Sequence, residues 1–154
     1  MLSGSYDGTI KLYDFRVHEA PQMTFQHGGQ VESIDLFPSH INFIACGDKR
    51  ITSWDIRSNK PVFENESHKK TVNCVKVVSE GSRFISSSSD GYLKVYQSNS
   101  FEVTYQEKQD YGITCFDMTK DHLHIAIGLE NKAFLIKSRK AQTQKDEDTE
   151  DEDK

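Results

Sequence analysis

The stretch Asp7-Gly8-Thr9-Ile10-Lys11-Leu12-Tyr13 decides the fold, because related stretches return three times along the chain. The copies begin, at offsets of 41, 42 and 41 residues, at Asp48, Asp90 and Asn131. A second marker keeps the same step, since three alternating apolar and polar segments begin at Val31, Val72 and Ile113. A fixed period of this length indicates a series of similar supersecondary units.

Each period is predicted to contain four short β-strands. In the best-defined period these strands occupy residues 31–36, 42–46, 51–54 and 61–64. They show period-two alternation or short apolar runs, and turn residues such as Gly47-Asp48 and Ser58-Asn59 separate them. No segment carries a helical stripe of apolar residues, so the sequence predicts an all-β fold.

Two dipeptides connect this pattern to a known repeat: His27-Gly28 upstream, and Trp54-Asp55 at the end of the third strand, with Tyr13-Asp14 as a weaker copy. The pattern resembles the WD40 repeat, in which roughly 40–45 residues form one four-stranded propeller blade. It implies a partial β-propeller in residues 1–140, with blades at about 2–27, 30–67, 71–108 and 112–138. Three and a half blades fall short of the roughly 4–8 that close a propeller. We therefore expect the chain to need further blades or a partner for closure.

The chemistry expected within each blade is a hydrogen-bond network, not a catalytic site. The Asp of the tight turn is expected to accept a hydrogen bond from an upstream His, which also contacts a strand hydroxyl and the aromatic residue of the third strand. The residues in these places are His27, Asp48 and Trp54 in the second blade, His68, Ser86 or Ser88, Asp90 and Tyr96 in the third, and Asp7 and Tyr13 in the first. In the second blade, residues 44–46 supply no suitable hydroxyl.

The formal charge of −5 is carried by the C-terminal segment. Residues 141–154 contain seven acidic residues and two lysines, which leaves 17 basic and 17 acidic residues in 1–140. This balance excludes a globally basic nucleic-acid-binding domain. The segment 141–154 has a composition typical of a disordered acidic tail, and Thr149, followed by the acidic residues 150–153, is a candidate phosphorylation site.

Several classes of protein are excluded by what the sequence lacks. No apolar run approaches the roughly 18–20 residues of a membrane span. The three cysteines, Cys46, Cys74 and Cys115, form no CxxC pair, so neither a disulfide framework nor a zinc ribbon is predicted. No phosphate-binding glycine loop or nucleophile elbow is present, and we predict no enzyme activity, no metal site and no cofactor.

A more specific resemblance lies in the order of four segments. Residues 2–14, 27–39 and 68–74 and the basic ending 137–140 are similar to the propeller of the U3 small nucleolar RNA-associated protein 15 family. This resemblance implies a non-enzymatic role in the nucleolus, within the small-subunit processome. The implied partners are other processome proteins and, directly or indirectly, U3 RNA and pre-ribosomal RNA.

Two sets of basic residues are candidate contacts. The candidate contacts with RNA phosphate are Lys69, Lys70, Lys137, Arg139 and Lys140. The alternative is that these basic residues belong to a solvated surface of mixed charge. Residues 13–16 and 54–57 each form an aromatic-Asp-x-Arg box. This box resembles that of cullin-4 ubiquitin ligase receptors, in which the Arg, here Arg16 and Arg57, contacts the adaptor. The alternative is that Arg57 pairs with a neighbouring carboxylate.

Overall fold

The computed structural model describes residues 1–17 and 20–138, and 54% of them lie in β-strands. The strands form four antiparallel sheets, which confirms the predicted all-β fold of a partial, unclosed propeller. The only helical element of the described residues is a 3-10 turn at Ser79–Gly81. The candidates Arg139, Lys140 and Thr149, and the acidic segment 141–154, lie outside the described residues.

The sheets follow one another in chain order, each as a simple antiparallel meander. The first contains β1 (Leu2–Gly4), β2 (Thr9–Leu12) and β3 (Met23–Gln26). The second contains β4 (Ser33–Leu36), β5 (Asn42–Gly47), β6 (Arg50–Asp55) and β7 (Pro61–Asn65). The third contains β8 (Val72–Val78), β9 (Arg83–Ser88), β10 (Tyr92–Gln97) and β11 (Val103–Lys108), and the fourth β12 (Ile113–Met118), β13 (His124–Leu129) and β14 (Phe134–Ser138).

Each pair of neighbouring sheets buries one apolar core between their faces. The core between the first and second sheets contains Ile10, Phe25, Val31, Phe43, Ala45 and Trp54. The core between the second and third contains Phe37, Ile44, Cys46, Ile51, Val72, Val75, Phe84 and Tyr96. The core between the third and fourth contains Val78, Ile85, Leu93, Ile113, Phe116, Ile127 and Leu129. In the second and third sheets, successive side chains of a strand point to opposite faces, so each sheet contributes apolar residues to the core on either side of it.

The outer faces of the first and fourth sheets differ in character. Because Ile10 and Phe25 face the second sheet, Lys11 and Thr24 lie on the outer face of the first. On the outer face of the fourth sheet, Phe134 is 73% exposed and Ile136 is 66% exposed. The described part of the chain thus ends in one polar and one apolar sheet face.

Equivalent turns carry Asp7 between β1 and β2, Asp48 between β5 and β6, and Asp90 between β9 and β10, and they are not all alike. In the first and third blades a glycine with positive φ follows the Asp: Gly8 at 83° and Gly91 at 84°. In the third blade, Ser87 pairs with Leu93, and five residues lie between them. The equivalent pair of the second blade is Cys46 and Ile51, and only four residues lie between them. Asp48 itself takes the positive φ, at 46°. This shorter turn changes the site described next.

Candidate functional site

In the third blade, His68 lies between a carboxylate and a hydroxyl. Its Nδ1 is 3.1 Å from Asp90 Oδ2, and its Nε2 is 2.7 Å from Ser86 Oγ. Asp90 also accepts hydrogen bonds from the backbone amides of Lys69, at 2.8 Å, and Tyr92, at 2.9 Å. The turn that carries Asp90 is thereby joined to the loop that enters the third blade.

Further hydrogen bonds hold this entry loop, residues 66–71, against the third blade. The hydroxyls of Tyr96 and Ser67 are 2.5 Å apart, and Lys94 Nζ donates to the Ser67 carbonyl at 2.5 Å. Ser88 Oγ donates to the Lys70 carbonyl at 3.1 Å. The ring of Tyr96 stacks on Phe84, with centroids 4.6 Å apart. The loop backbone is consequently fixed at several points.

Burial and hydrogen bonding determine whether His68 and Asp90 are charged. Burial lowers the pKa of His68, and this outweighs the opposing effect of Asp90. Burial alone would raise the pKa of Asp90, but hydrogen bonds from the Lys69 and Tyr92 amides and the contact with His68 lower it overall. At neutral pH, Asp90 is therefore ionised and accepts from Nδ1–H of a neutral His68, whose Nε2 accepts from the Ser86 hydroxyl.

The order Ser86, His68 and Asp90 is that of a nucleophile, a base and an orienting carboxylate. Acyl transfer also requires that a substrate carbonyl reach the hydroxyl. Ser86 has no exposed surface, and His68 is 4% exposed. The network therefore has no accessible hydroxyl for a substrate and joins the Asp90 turn to the entry loop by hydrogen bonds.

The corresponding network is absent from the second blade. His27 is 2% exposed, yet neither ring nitrogen has a partner within hydrogen-bonding geometry in the part of the chain that the structure describes, although the Gly47 backbone lies close. Ala45 occupies the strand position of Ser86 and offers no hydroxyl. The shorter turn directs the Asp48 carboxylate over Gly29, into the space that a Cβ there would fill.

The remaining network candidates have local roles. Trp54 Nε1 has no hydrogen-bond partner among the described residues, and its ring packs against Phe25 and Phe43 with centroids 5.4 and 6.4 Å away. Asp7 accepts hydrogen bonds from the amide and hydroxyl of Thr9, at 2.8 and 2.7 Å. Tyr13 pairs through its backbone with Met1. Burial lowers the pKa of His27, and the Arg50 cation lowers it further.

The cationic candidates separate into two places. Lys69 and Lys70 are exposed on the entry loop and line a groove between the second and third blades. Lys49 and Arg50, which the sequence did not single out, line the same groove. Lys137 lies near the far end of β14 and forms an ion pair with Glu107 of β11. Lys49 and Arg50 directly follow Asp48 in the sequence, and this position in a blade turn could have identified them as candidate contacts.

Arg16 lies in the connection between β2 and β3, and Arg57 lies in the equivalent connection between β6 and β7. Arg16 contacts Asp14 at 2.5 Å and Arg57 contacts Asp55 at 2.7 Å, each through two guanidinium nitrogens. These hydrogen bonds lower the pKa of both carboxyls to about 2. Each Arg therefore pairs with the Asp of its own box, while its side chain remains 88% or 72% exposed.

Two further classes of site were sought among residues 1–17 and 20–138. No group of three or more His, Cys, Asp or Glu side chains there is arranged to hold a metal ion. No helix there is long and apolar enough to cross a membrane.

Comparison with known proteins assigns the repeat. The family model described as "WD domain, G-beta repeat" matches residues 1–14, 19–55 and 59–97, which is more than half of the chain. The chain is 31% identical over 146 residues to the U3 small nucleolar RNA-associated protein 15 homolog of Gallus gallus, covering 94% of this chain and 28% of that protein.

Two other relatives carry the same name. Identity is 33% over 144 residues with the Xenopus laevis homolog, covering 93% of this chain and 28% of that protein. It is 29% over 149 residues with U3 small nucleolar RNA-associated protein 15 of Saccharomyces cerevisiae, covering 90% of this chain and 29% of that protein. The chain thus spans less than a third of the length of these relatives. The chain has sheets of three or four strands, a period of 41 or 42 residues and the family match, and it therefore belongs to the WD40 repeat family.

Proposed function

We propose that this chain acts as a non-catalytic WD40 scaffold in the small-subunit processome, where it supports transcription and processing of pre-ribosomal RNA toward 18S RNA. The observation that carries the proposal is the similarity to U3 small nucleolar RNA-associated protein 15 homologs, which extends over 93–94% of the chain. It includes the fourth sheet, which lies beyond the residues that the WD40 family model matches.

The site geometry agrees with a scaffold. The Ser86–His68–Asp90 network is closed to substrate, and its hydrogen bonds stabilise loops that face the solvent. The proposed location is accordingly the nucleolus, and the proposed partners are other processome proteins, with U3 RNA and pre-ribosomal RNA contacted directly or through them.

Two surfaces need cover in this proposal. The outer face of the fourth sheet exposes Phe134 and Ile136, and among residues 1–17 and 20–138 β14 pairs only with β13. Unpaired strand edges and apolar sheet faces favour association with further strands. We propose that further blades or a processome partner cover this face and edge of the fourth sheet and complete the ring.

Affinity purification of the full chain from cells tests the proposal. Recovery of U3 RNA and processome proteins above the level of an unrelated WD40 bait is the expected result. A matched variant, Phe134→Ser with Ile136→Ser, should lower this recovery because it makes the uncovered face polar. Purification without U3 RNA or processome proteins would contradict the proposal.

A second candidate function rests on Arg16 and Arg57. Both are exposed on connections after equivalent strands of adjacent blades, in the box found in cullin-4 ubiquitin ligase receptors. The test is recovery of the ligase adaptor with the chain, and its loss on Arg16→Ala plus Arg57→Ala. Since each Arg is already held by its own Asp, unchanged recovery would assign the boxes to local stability alone.

A further inference from the structure

The groove between the second and third blades gathers charge from two separate repeats. It has a volume of about 610 Å³ and is lined by Lys49, Arg50, Lys69 and Lys70. Asp48 and Glu66 are the acidic residues of the same lining, so basic side chains exceed acidic ones by two. The 1–140 region as a whole is balanced, which makes this local excess of positive charge a property of the groove.

The basic side chains differ in what they already contact. Arg50 is committed within the protein: it pairs with Glu64 at 2.8 Å and Glu66 at 3.4 Å, and donates to the His27 carbonyl at 3.3 Å. The ammonium groups of Lys49, Lys69 and Lys70 form no ion pair or hydrogen bond with residues 1–17 or 20–138. Three lysines therefore remain available to an anionic ligand.

The backbone that carries these lysines is held in place. The Lys69 amide donates to Asp90, and the Lys70 carbonyl accepts from Ser88. The Asp48 carbonyl accepts from the Val72 amide at 2.5 Å, which joins the turn before Lys49 to the next blade. A ligand would therefore order only the lysine side chains, which lowers the entropic cost of binding.

The available groups favour one class of anion. Binding a phosphomonoester, as in a phosphopeptide, characteristically uses a free arginine fork, and Arg50 is already occupied. Lysines act as separate point charges, which suits a chain of successive phosphodiesters. The groove is open, and no exposed aromatic side chain is among its lining residues, so base stacking is not part of the expected contact.

We propose that this groove binds the phosphodiester backbone of RNA, through Lys49, Lys69 and Lys70 and without base specificity. The choice of RNA over other polyanions rests on the proposed function. Contacts of this kind position a nucleic acid and weaken as salt rises, with a slope of about −0.7 per phosphate for single strands.

The test measures fluorescence anisotropy of a labelled 20-nucleotide oligouridine with the full chain between 50 and 200 mM salt. The triple variant Lys49→Ala, Lys69→Ala and Lys70→Ala should weaken binding at least about tenfold at the lower salt and reduce the salt slope by about 2. The control variant replaces Lys60, Arg83 and Lys120 by Ala, which removes the same charge from exposed positions outside the groove. It should bind nearly as the wild type does.

Three results would overturn the inference: no RNA binding by the wild type, equal losses in both variants, or tighter binding of a phosphopeptide of matched charge that the triple variant abolishes. Circular dichroism checks that both variants keep the fold. The proposed function fails separately, because it predicts that U3 RNA co-purifies from cells, whereas the groove is tested with purified components. Co-purification that survives the triple variant, with oligouridine affinity unchanged, would reject the groove and retain the scaffold.

Discussion

Replacing Asp90 by Asn tests whether the buried network stabilises the third blade. The two carboxylate oxygens of Asp90 accept from three N–H groups: Oδ2 from the Lys69 amide and His68, Oδ1 from the Tyr92 amide. In either orientation of an Asn side chain, its NH₂ faces at least one of these donors. One or two charge-assisted hydrogen bonds are then lost, each worth about 1.5–3 kcal/mol. We expect the free energy of unfolding to fall by roughly 2–4 kcal/mol.

The matched control is Asp48→Asn, at the same repeat position of the second blade. The Asp48 carboxylate forms no hydrogen bond or ion pair with the described residues, and Asn tolerates its positive φ of 46°. Its effect should stay within about 0.5 kcal/mol, as for an exposed surface site.

Urea unfolding of the full chain, followed by the fluorescence of Trp54 and by circular dichroism at one fixed protein concentration, measures both variants. With a slope of about 2 kcal/mol per molar urea, the Asp90→Asn midpoint should fall by about 1–2 M, and the Asp48→Asn midpoint should barely move. Equal shifts in the two variants would refute the assignment of the network to the third blade alone.

Three other predictions follow from burial and charge. Because burial places the folded-state pKa values of His27 and His68 below 6.5, the unfolded chain binds more protons as the pH falls through 6.5. The urea midpoint should therefore decrease from pH 7.5 to 5.5, and a midpoint constant over this range would contradict the lowered pKa values of both histidines. Phe84→Ala removes a fully buried ring and should cost about 3–5 kcal/mol in denaturant titration, whereas Phe134→Ala, at a 73% exposed site, should cost under about 1 kcal/mol; similar costs would mean that Phe134 is covered. Light scattering should show concentration-dependent association of the chain, reduced by Phe134→Ser with Ile136→Ser, whereas a monodisperse monomer with a cooperative melt would show that the exposed face needs no cover.

Much of the fold is local and could be predicted from the sequence. The alternation in segments such as 51–54, and turn dipeptides such as Asp90-Gly91, act between neighbours in the chain, so they locate strands and hairpins directly. The 41-residue step then gives the order of the blades, because each blade packs on the next one in sequence. The sequence also predicted that residues 44–46 supply no hydroxyl for His27, because Ala45 stands at that position of the strand.

The candidate site depended on register and distance, which the repeat conceals. Asp48 and Asp90 both stand three residues before an apolar residue of the third strand, so the sequence aligned them as equivalents. Relative to the second strand, Asp48 lies one residue closer, and its carboxylate consequently turns to Gly29 instead of His27. A one-residue change in a turn redirects a side chain while leaving the repeat pattern nearly intact.

The sequence by itself determined the all-β class, the four blades and their order, because period-two alternation and turn chemistry are short-range properties. Only the tertiary structure decided which buried His has hydrogen-bond partners and which basic side chains line the same groove. Lys49 and Lys69 are twenty residues apart in the chain and share a groove, whereas Lys70 and Lys137, equally basic, lie at different ends of their blades. Packing of one blade against the next sets these distances, and no pattern within a single repeat encodes them.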